Sequence, residues 1–206
     1  LQMRVGKVGS SLSYMMQLLI ICYVIYSIFI GDYLWASLGL VCFLLTQIPT
    51  VLERRIGVIV PSELKLLITL VLYLHVAGNV RGWYDCYYPV YDKVTHFLAA
   101  TLVAALGFIA IAVLDPSIMI ETNGYMAIAI TIIFTTAMGA FWEIGEFLFD
   151  RFLGTRLQHG LTDTMLDLVF DFMGGCIASF IGNFYLRRKL KEDPINLIGI
   201  EIKAEM

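Results

Sequence analysis

Nine acidic or histidine side chains recur at helical spacing in this chain, and they are the residues equipped for chemistry. Glu143, Glu146 and Asp150 stand at i, i+3 and i+7 in FWEIGEFLFD. Asp163, Asp167 and Asp171 stand at i, i+4 and i+8 in DTMLDLVFD. Asp92 and His96 are four apart in DKVTHF, and His75 lies in the preceding apolar stretch. Residues three and four apart share a helix face, so each set is a stripe and not a ring. Carboxylates beside histidine suit Zn²⁺ or Mn²⁺, whereas an all-oxygen shell suits Mg²⁺ or Ca²⁺. The reading is a divalent metal ion (Zn, Mn or Mg) held by His96, Glu143, Glu146, Asp167 and Asp171, with His96 and Glu143 as the catalytic pair. Asp92, His75, Asp150 and Asp163 are further candidates.

Six carboxylates gathered on facing helices cannot all stay ionised without compensation, because like charge and burial both favour the protonated form. Bound metal, paired Lys or Arg, or retained protons would each relieve them. Lys93, Arg151 and Arg156, besides Arg81, are the nearby cations, too few to pair every acid. Ferritin-like di-metal bundles solve the same problem with Glu-x-x-His pairs. Here the fifth span offers Glu-x-x-Glu, so that parallel is not pressed.

The elements that carry these stripes are apolar. The chain is 59% hydrophobic and 15% charged, with a mean hydropathy of +0.81. Soluble domains carry about 25% charged residues, so the composition is that of an integral membrane protein. The expected fold is all-α: a polytopic membrane helical bundle of six spans, at roughly 11–30, 34–52, 63–81, 94–114, 124–148 and 164–186. Gln47 and Pro49 interrupt the end of the second. The first span follows Arg4 and Lys7 like a signal peptide, but its length and lack of a small-residue cleavage site make it a retained anchor. One domain is expected over 1–190, followed by a short cytoplasmic tail at 191–206. Cys22, Cys42 and Cys176 fall inside spans and Cys86 in a connection, with no CxxC or Cys/His zinc spacing.

Lys and Arg placement sets the orientation. With six spans, ten of the fourteen basic residues share the side of both termini: Arg4, Lys7, Arg54, Arg55, Lys65, Arg187, Arg188, Lys189, Lys191 and Lys203. Arg81, Lys93, Arg151 and Arg156 occupy the other. Both termini are therefore expected in the cytoplasm, in the cell (inner) membrane. The acidic stripes then fall within roughly 12–15 Å of the outer boundary. An ionisable group inside a membrane costs about 2.5–3.5 kcal/mol on insertion scales, which ties such residues to function. Below the stripes the same faces turn small, with Gly139, then Gly174, Ala178 and Gly182, and Ala100, Ala104 and Gly107. Small-residue seams let helices approach closely, so the acidic faces should converge.

Plainer roles compete at the margins. Asp150 and Asp163 could be interfacial, or Asp163 a cap beside Thr162. His75 suits an interhelical hydrogen bond or one to Asn79, and His159 a solvated loop. Trp35, Trp83, Trp142 and the run Tyr84, Tyr87, Tyr88, Tyr91 need little beyond interfacial anchoring, and RRKLK reads as a lipid-headgroup signal.

DKVTHF, WEIGEFLFDR and DTMLDLVFDFMGG, in this order, resemble the hallmarks of the YjdF-type family of inner-membrane proteins, over roughly Tyr91 to Gly182. A looser similarity runs to VanZ-like proteins, which pair DK-x-x-HF with a later acidic, Gly-rich helix and are associated with glycopeptide resistance at the cell envelope. CDP-alcohol phosphotransferases also end acidic repeats in DxxxD, but their DGxxAR element is absent. The resemblance implies a membrane fold and a site more than a reaction.

Three functions remain open. A metal-dependent hydrolase or transferase would act on lipid-linked or envelope substrates at the outer surface. A proton or cation transporter would use the acids as a relay, though the inner halves of the spans look almost free of polar groups. A non-catalytic membrane subunit or sensor would use the cluster as a structural metal or proton site. The expected partners are the lipid bilayer, a lipid-linked substrate or another membrane protein, and not nucleic acid.

Overall fold

The computed structural model describes residues 2–56, 60–114, 118 and 121–192. Among these residues the chain is all-helical, with seven helices and no strand. They are α1 (Gln2–Phe29), α2 (Tyr33–Ile56), α3 (Ser62–Arg81), α4 (Trp83–Cys86), α5 (Val90–Leu114), α6 (Tyr125–Leu153) and α7 (Leu161–Glu192). Six are long and apolar enough to cross a membrane, each within a few residues of its expected span apart from α6 and α7, which run longer at the ends joined by their loop. Most of the expected 191–206 tail lies outside the described residues, as do 57–59 and part of the 115–123 loop.

The distribution of side chains is inverted relative to a soluble protein. Asp92, His96, Glu143 and Asp167 are buried, while Phe141, Phe152 and Phe184 are 66%, 77% and 74% exposed. Water would penalise the exposed phenylalanines, whereas lipid accepts them and drives the ionisable side chains to the interior. Pro49 does not end α2 as its sequence implied. The helix continues to Arg54 and Arg55, whose charges suit its C-terminal dipole. Proline is tolerated in membrane helices, where nearby hydroxyls and adjustments of the turn meet the freed carbonyl.

By their contacts the helices divide into two compact units, with the break between Tyr91 and Asp92. In the first unit, α1, α2 and α3 pack around Ile20, Val24, Cys42 and Val76. The turn before α3 is pinned by Glu53, which pairs with Lys65 at 2.7 Å and accepts the Val60 amide at 3.0 Å. Gly82, at a left-handed φ of 65°, ends α3 and turns the chain into α4. Tyr84 and Tyr91 fold back onto Gly78, where a Cβ would stand 2.6 Å from both rings. Tyr91 also donates to the Leu74 carbonyl at 2.7 Å. These tyrosines are thus packing residues, beyond the anchoring expected of them, whereas Tyr87 and Tyr88 stay exposed.

The second unit is built on the small residues of α6 and α7. A Cβ on Gly174 would lie 2.7 Å from the Phe97 carbonyl oxygen of α5, backbone that cannot yield. One on Gly182 would press on the Phe108 ring of the same helix. Between α6 and α7, Gly139 faces Asp171, and Gly175 faces Thr135 at 3.3 Å. Four residues down one helix match four up the other, so the two run antiparallel in fixed register. Continued one step, that register sets Thr131 level with Ser179. An apolar cluster of Phe108, Ala112, Ala127, Ile128 and Leu186 closes the far end.

Candidate functional site

The first turns of α5, the last turns of α6 and the first turns of α7 meet at one end of the second unit. His96 lies six residues into α5, about 9 Å along its axis, while Glu143 and Asp171 lie about 15 Å from the adjacent ends of α6 and α7. At this level Asp92, Lys93, His96, Glu143, Asp163, Asp167 and Asp171 are all buried. The convergence expected from the stripes is therefore present within this unit.

His96 is the pivot. Its Nδ1 lies 3.3 and 3.4 Å from the two Asp171 carboxylate oxygens. The Nε2 edge of the ring points the other way. It meets Glu143 Oε1 at 3.7 Å and Asp92 Oδ1 and Asp167 Oδ1 at 3.8 Å each. These separations are too long for hydrogen bonds. Ligand atoms from Asp92, His96 and Asp167 all lie within 4.8 Å of one another, as donors around a shared cation would. Glu143 Oε1, on a residue only 4% exposed, has no hydrogen-bond donor among the described residues.

Lys93 forms the other half of the cluster. Its ammonium donates to Asp163 Oδ1, to Asp167 Oδ1 and Oδ2 at 2.7 and 2.8 Å, and to Asp92 Oδ2 at 3.1 Å. Arg151 and Arg156, the other expected cations of this unit, are exposed. One ammonium thus stands among five buried carboxylates.

The expected ligand set and this geometry differ in membership. Asp92, a further candidate by sequence, joins His96, Glu143 and Asp167 around Nε2. Asp171 sits on the opposite edge of the ring. Glu146, half-buried, accepts a hydrogen bond from Trp142 Nε1 at 2.9 Å. Asp150 organises the α6–α7 loop: it accepts from Thr155 Oγ1 at 2.7 Å and from the Leu157 and Gln158 amides at 2.8 and 3.0 Å. Asp163 binds Lys93 and accepts the His159 amide at 3.3 Å. His75 belongs to the other unit, where Nδ1 lies 3.4 Å from Tyr84 Oη and Asn79 caps the His75 carbonyl at 2.9 Å.

Two features went unread in the sequence. Gln158, fixed by the Asp150 loop, donates to the Glu143 carbonyl at 3.2 Å and approaches Glu143 Oε2 at 3.5 Å, so the loop holds one oxygen while the other faces His96. No spacing rule marks a loop glutamine. The second was visible. Stepping by four from Glu143 leads through Gly139 to Thr135 and Thr131, and from Asp171 through Gly175 to Ser179 and Asn183. Thr131 Oγ1, Thr135 Oγ1 and Asn183 Oδ1 are buried without a hydrogen-bond partner. The interior below the acids is less apolar than the sequence reading allowed.

No solved structure matches the chain. A protein of Thermotoga maritima described as uncharacterized is 31% identical over 128 residues, covering 61% of this chain. The match spans 65% of that protein, just under two thirds of its length. The family described as predicted membrane protein (DUF2238) matches residues 12–188, a range that holds the whole acid–histidine cluster. The motifs DKVTHF, WEIGEFLFDR and DTMLDLVFDFMGG thus sit in the family to which their resemblance pointed, and this multi-pass membrane protein belongs to the DUF2238, or YjdF, family.

Proposed function

We propose that the protein binds one divalent cation between α5, α6 and α7 and acts as a metal-dependent hydrolase or transferase. The carrying observation is that His96 Nε2 lies 3.7–3.8 Å from oxygens of Asp92, Glu143 and Asp167, too far for hydrogen bonds, with Glu143 Oε1 left without a donor among the described residues. A cation at that point would be ligated by the imidazole and the three carboxylates. One imidazole with carboxylates favours Zn²⁺ or Mn²⁺ over Mg²⁺. Asp171 would fix the imidazole tautomer from behind, as carboxylates do for metal-bound histidines. Such a cation lowers the pKa of bound water and polarises phosphoryl or carbonyl oxygens. In the orientation that the Lys and Arg placement implies, the site would open to the outer face of the cell membrane. Lipid-linked or envelope substrates fit that position. Elemental analysis of purified protein tests the reading: wild type should carry metal, and His96→Ala and Glu143→Ala should lose it. Metal-free wild type across several preparations ends it.

A second reading, proton or cation transport, is favoured by one observation. Thr135, Thr131 and Asn183 continue the polar faces of Glu143 and Asp171 away from the site, unpartnered. Ion flux in liposomes that Asp171→Asn abolishes would establish it. The Lys93 network favours a third, a non-catalytic subunit whose cluster only holds helices together. A stoichiometric membrane-protein partner, lost in cluster variants, would mark that role.

A further inference from the structure

Lys93 is coordinated as a metal would be. Carboxylate oxygens of Asp92, Asp163 and Asp167 surround its Nζ, and the Asp163 carbonyl oxygen approaches to 3.4 Å. This is an all-oxygen shell of the kind hard divalent cations take. Two of these carboxylates are shared with the neighbouring position. Asp92 turns Oδ1 to His96 Nε2 and Oδ2 to Lys93, and Asp167 Oδ1 serves both. Carboxylates that bridge two cations about 3.5–4 Å apart are the frame of two-metal sites. The neighbouring position carries its own sign of a ligand in the buried, unpartnered Glu143 Oε1.

We infer that Lys93 occupies the second cation position of a two-cation site, so that the protein takes a single metal where its carboxylates could frame two. The inference rests on the metal reading above and adds the stoichiometry. The ammonium is tethered one residue from Asp92 and is present from the moment α5 forms. Its three N–H donors are directed to carboxylates, which makes it a counter-ion and positioning residue, not a group offered to substrate. It holds Asp92 and Asp167 with their remaining oxygens toward His96. Removing it leaves Asp92, Asp163 and Asp167 without their cation and vacates the volume of its side chain, room for a metal ion in place of the ammonium. The structure thus assigns metal number to one residue.

The test uses the full-length protein in detergent, stripped and re-equilibrated with Mn²⁺ alone, with metal counted and the electron paramagnetic resonance spectrum recorded. Wild type should bind about one equivalent with the six-line spectrum of an isolated ion, and Lys93→Ala about two, with an exchange-coupled spectrum. Lys93→Met, which refills the space without charge, should stay at one. Lys93→Ala binding one equivalent or none, beside a wild type that binds one, overturns the inference and leaves the metal reading standing. A wild type that binds none removes the metal reading itself. If Lys93→Ala fails to fold even when expressed with added Mn²⁺, while Lys93→Met folds, the metal does not replace the ammonium and the inference fails.

Discussion

Gly139 of α6 lies directly against the Asp171 carboxylate of α7, so closely that a Cβ at 139 would overlap it. The absent side chain on one helix is what lets the acid on the other reach His96. Gly139→Ala should therefore push Asp171 off the imidazole. Overpacking of this kind costs about 1–3 kcal/mol. Gly145, on the same helix, has nothing within 4 Å of where a methyl group would stand, so Gly145→Ala should be neutral or gain up to about 1 kcal/mol of helix propensity. Thermal unfolding of the two variants in detergent checks the contrast. Equal losses at both positions would mean that the contact with Asp171 does not matter.

Asp171→Asn separates the orienting group from the ligands. Asparagine can still accept from His96 Nδ1, but without the charge that strengthens the bond. Loss of such a partner behind a metal-bound histidine lowers metal affinity by about 10–100-fold. Asp167→Asn, which changes an oxygen facing Nε2, should cost more. Competition with a chelator of known strength reads both. Asp171→Asn abolishing binding outright would place that carboxylate among the direct ligands, as its spacing in the sequence first implied.

How much of this arrangement could be read beforehand follows from what periodicity encodes. Spacing places Asp167 and Asp171 on one helix face, and length with hydropathy finds six spans. Small residues at fours, such as Gly139 and Gly174, mark which faces close together. None of these signals carries the rotation of one ring. Asp171 meets Nδ1 and Asp167 faces Nε2, although one turn separates them on the same stripe. Asp150 looked like a third member of the Glu143 series, yet at the end of α6 the loop amides of Leu157 and Gln158 claim it. A helical repeat predicts a shared face only while the next element leaves that face free. Lys93 was visible as a cation beside Asp92, but its partners Asp163 and Asp167 come from packing α5 on α7, a tertiary fact.

Glu143→Gln should trade binding against stability. In metal-free protein the Glu143 carboxylate is buried with one oxygen unpartnered, and a buried polar group in that state costs about 1–3 kcal/mol, more when charged. A neutral amide of the same shape relieves that cost, and its NH₂ can donate to the carboxylates across the site. The stripped variant should therefore melt higher than stripped wild type. Added Mn²⁺ should reverse the order, because a ligand at 100 times its dissociation constant stabilises by about 2.7 kcal/mol only where the site can hold it. Melting curves with and without metal give both halves. A stripped variant that melts lower than wild type would show that the carboxylate already has a stabilising partner.

Thr131 and Thr135 decide between a dry seam and a wet one. Several other span threonines return their hydroxyls to their own helix, as Thr101 does to the Phe97 carbonyl at 2.7 Å and Thr136 to the Ile132 carbonyl at 2.9 Å. Thr131 and Thr135 have no hydrogen-bond partner among the described residues and are 0% and 1% exposed, Thr135 against Gly175 of α7 and Thr131 beside Gly107 of α5. In a dry interface each hydroxyl carries an uncompensated desolvation cost, and valine, nearly the same shape, removes it. A metal enzyme whose chemistry stays at the outer end needs no water in this seam. Thr131→Val and Thr135→Val should then each raise stability, by about 0.5–2 kcal/mol. If the seam instead holds a file of waters leading from Glu143 and Asp171 toward Asn183, the same changes take away a partner and stability falls. The sign of the shift in thermal unfolding distinguishes the two, and a fall at both positions would favour transport over catalysis.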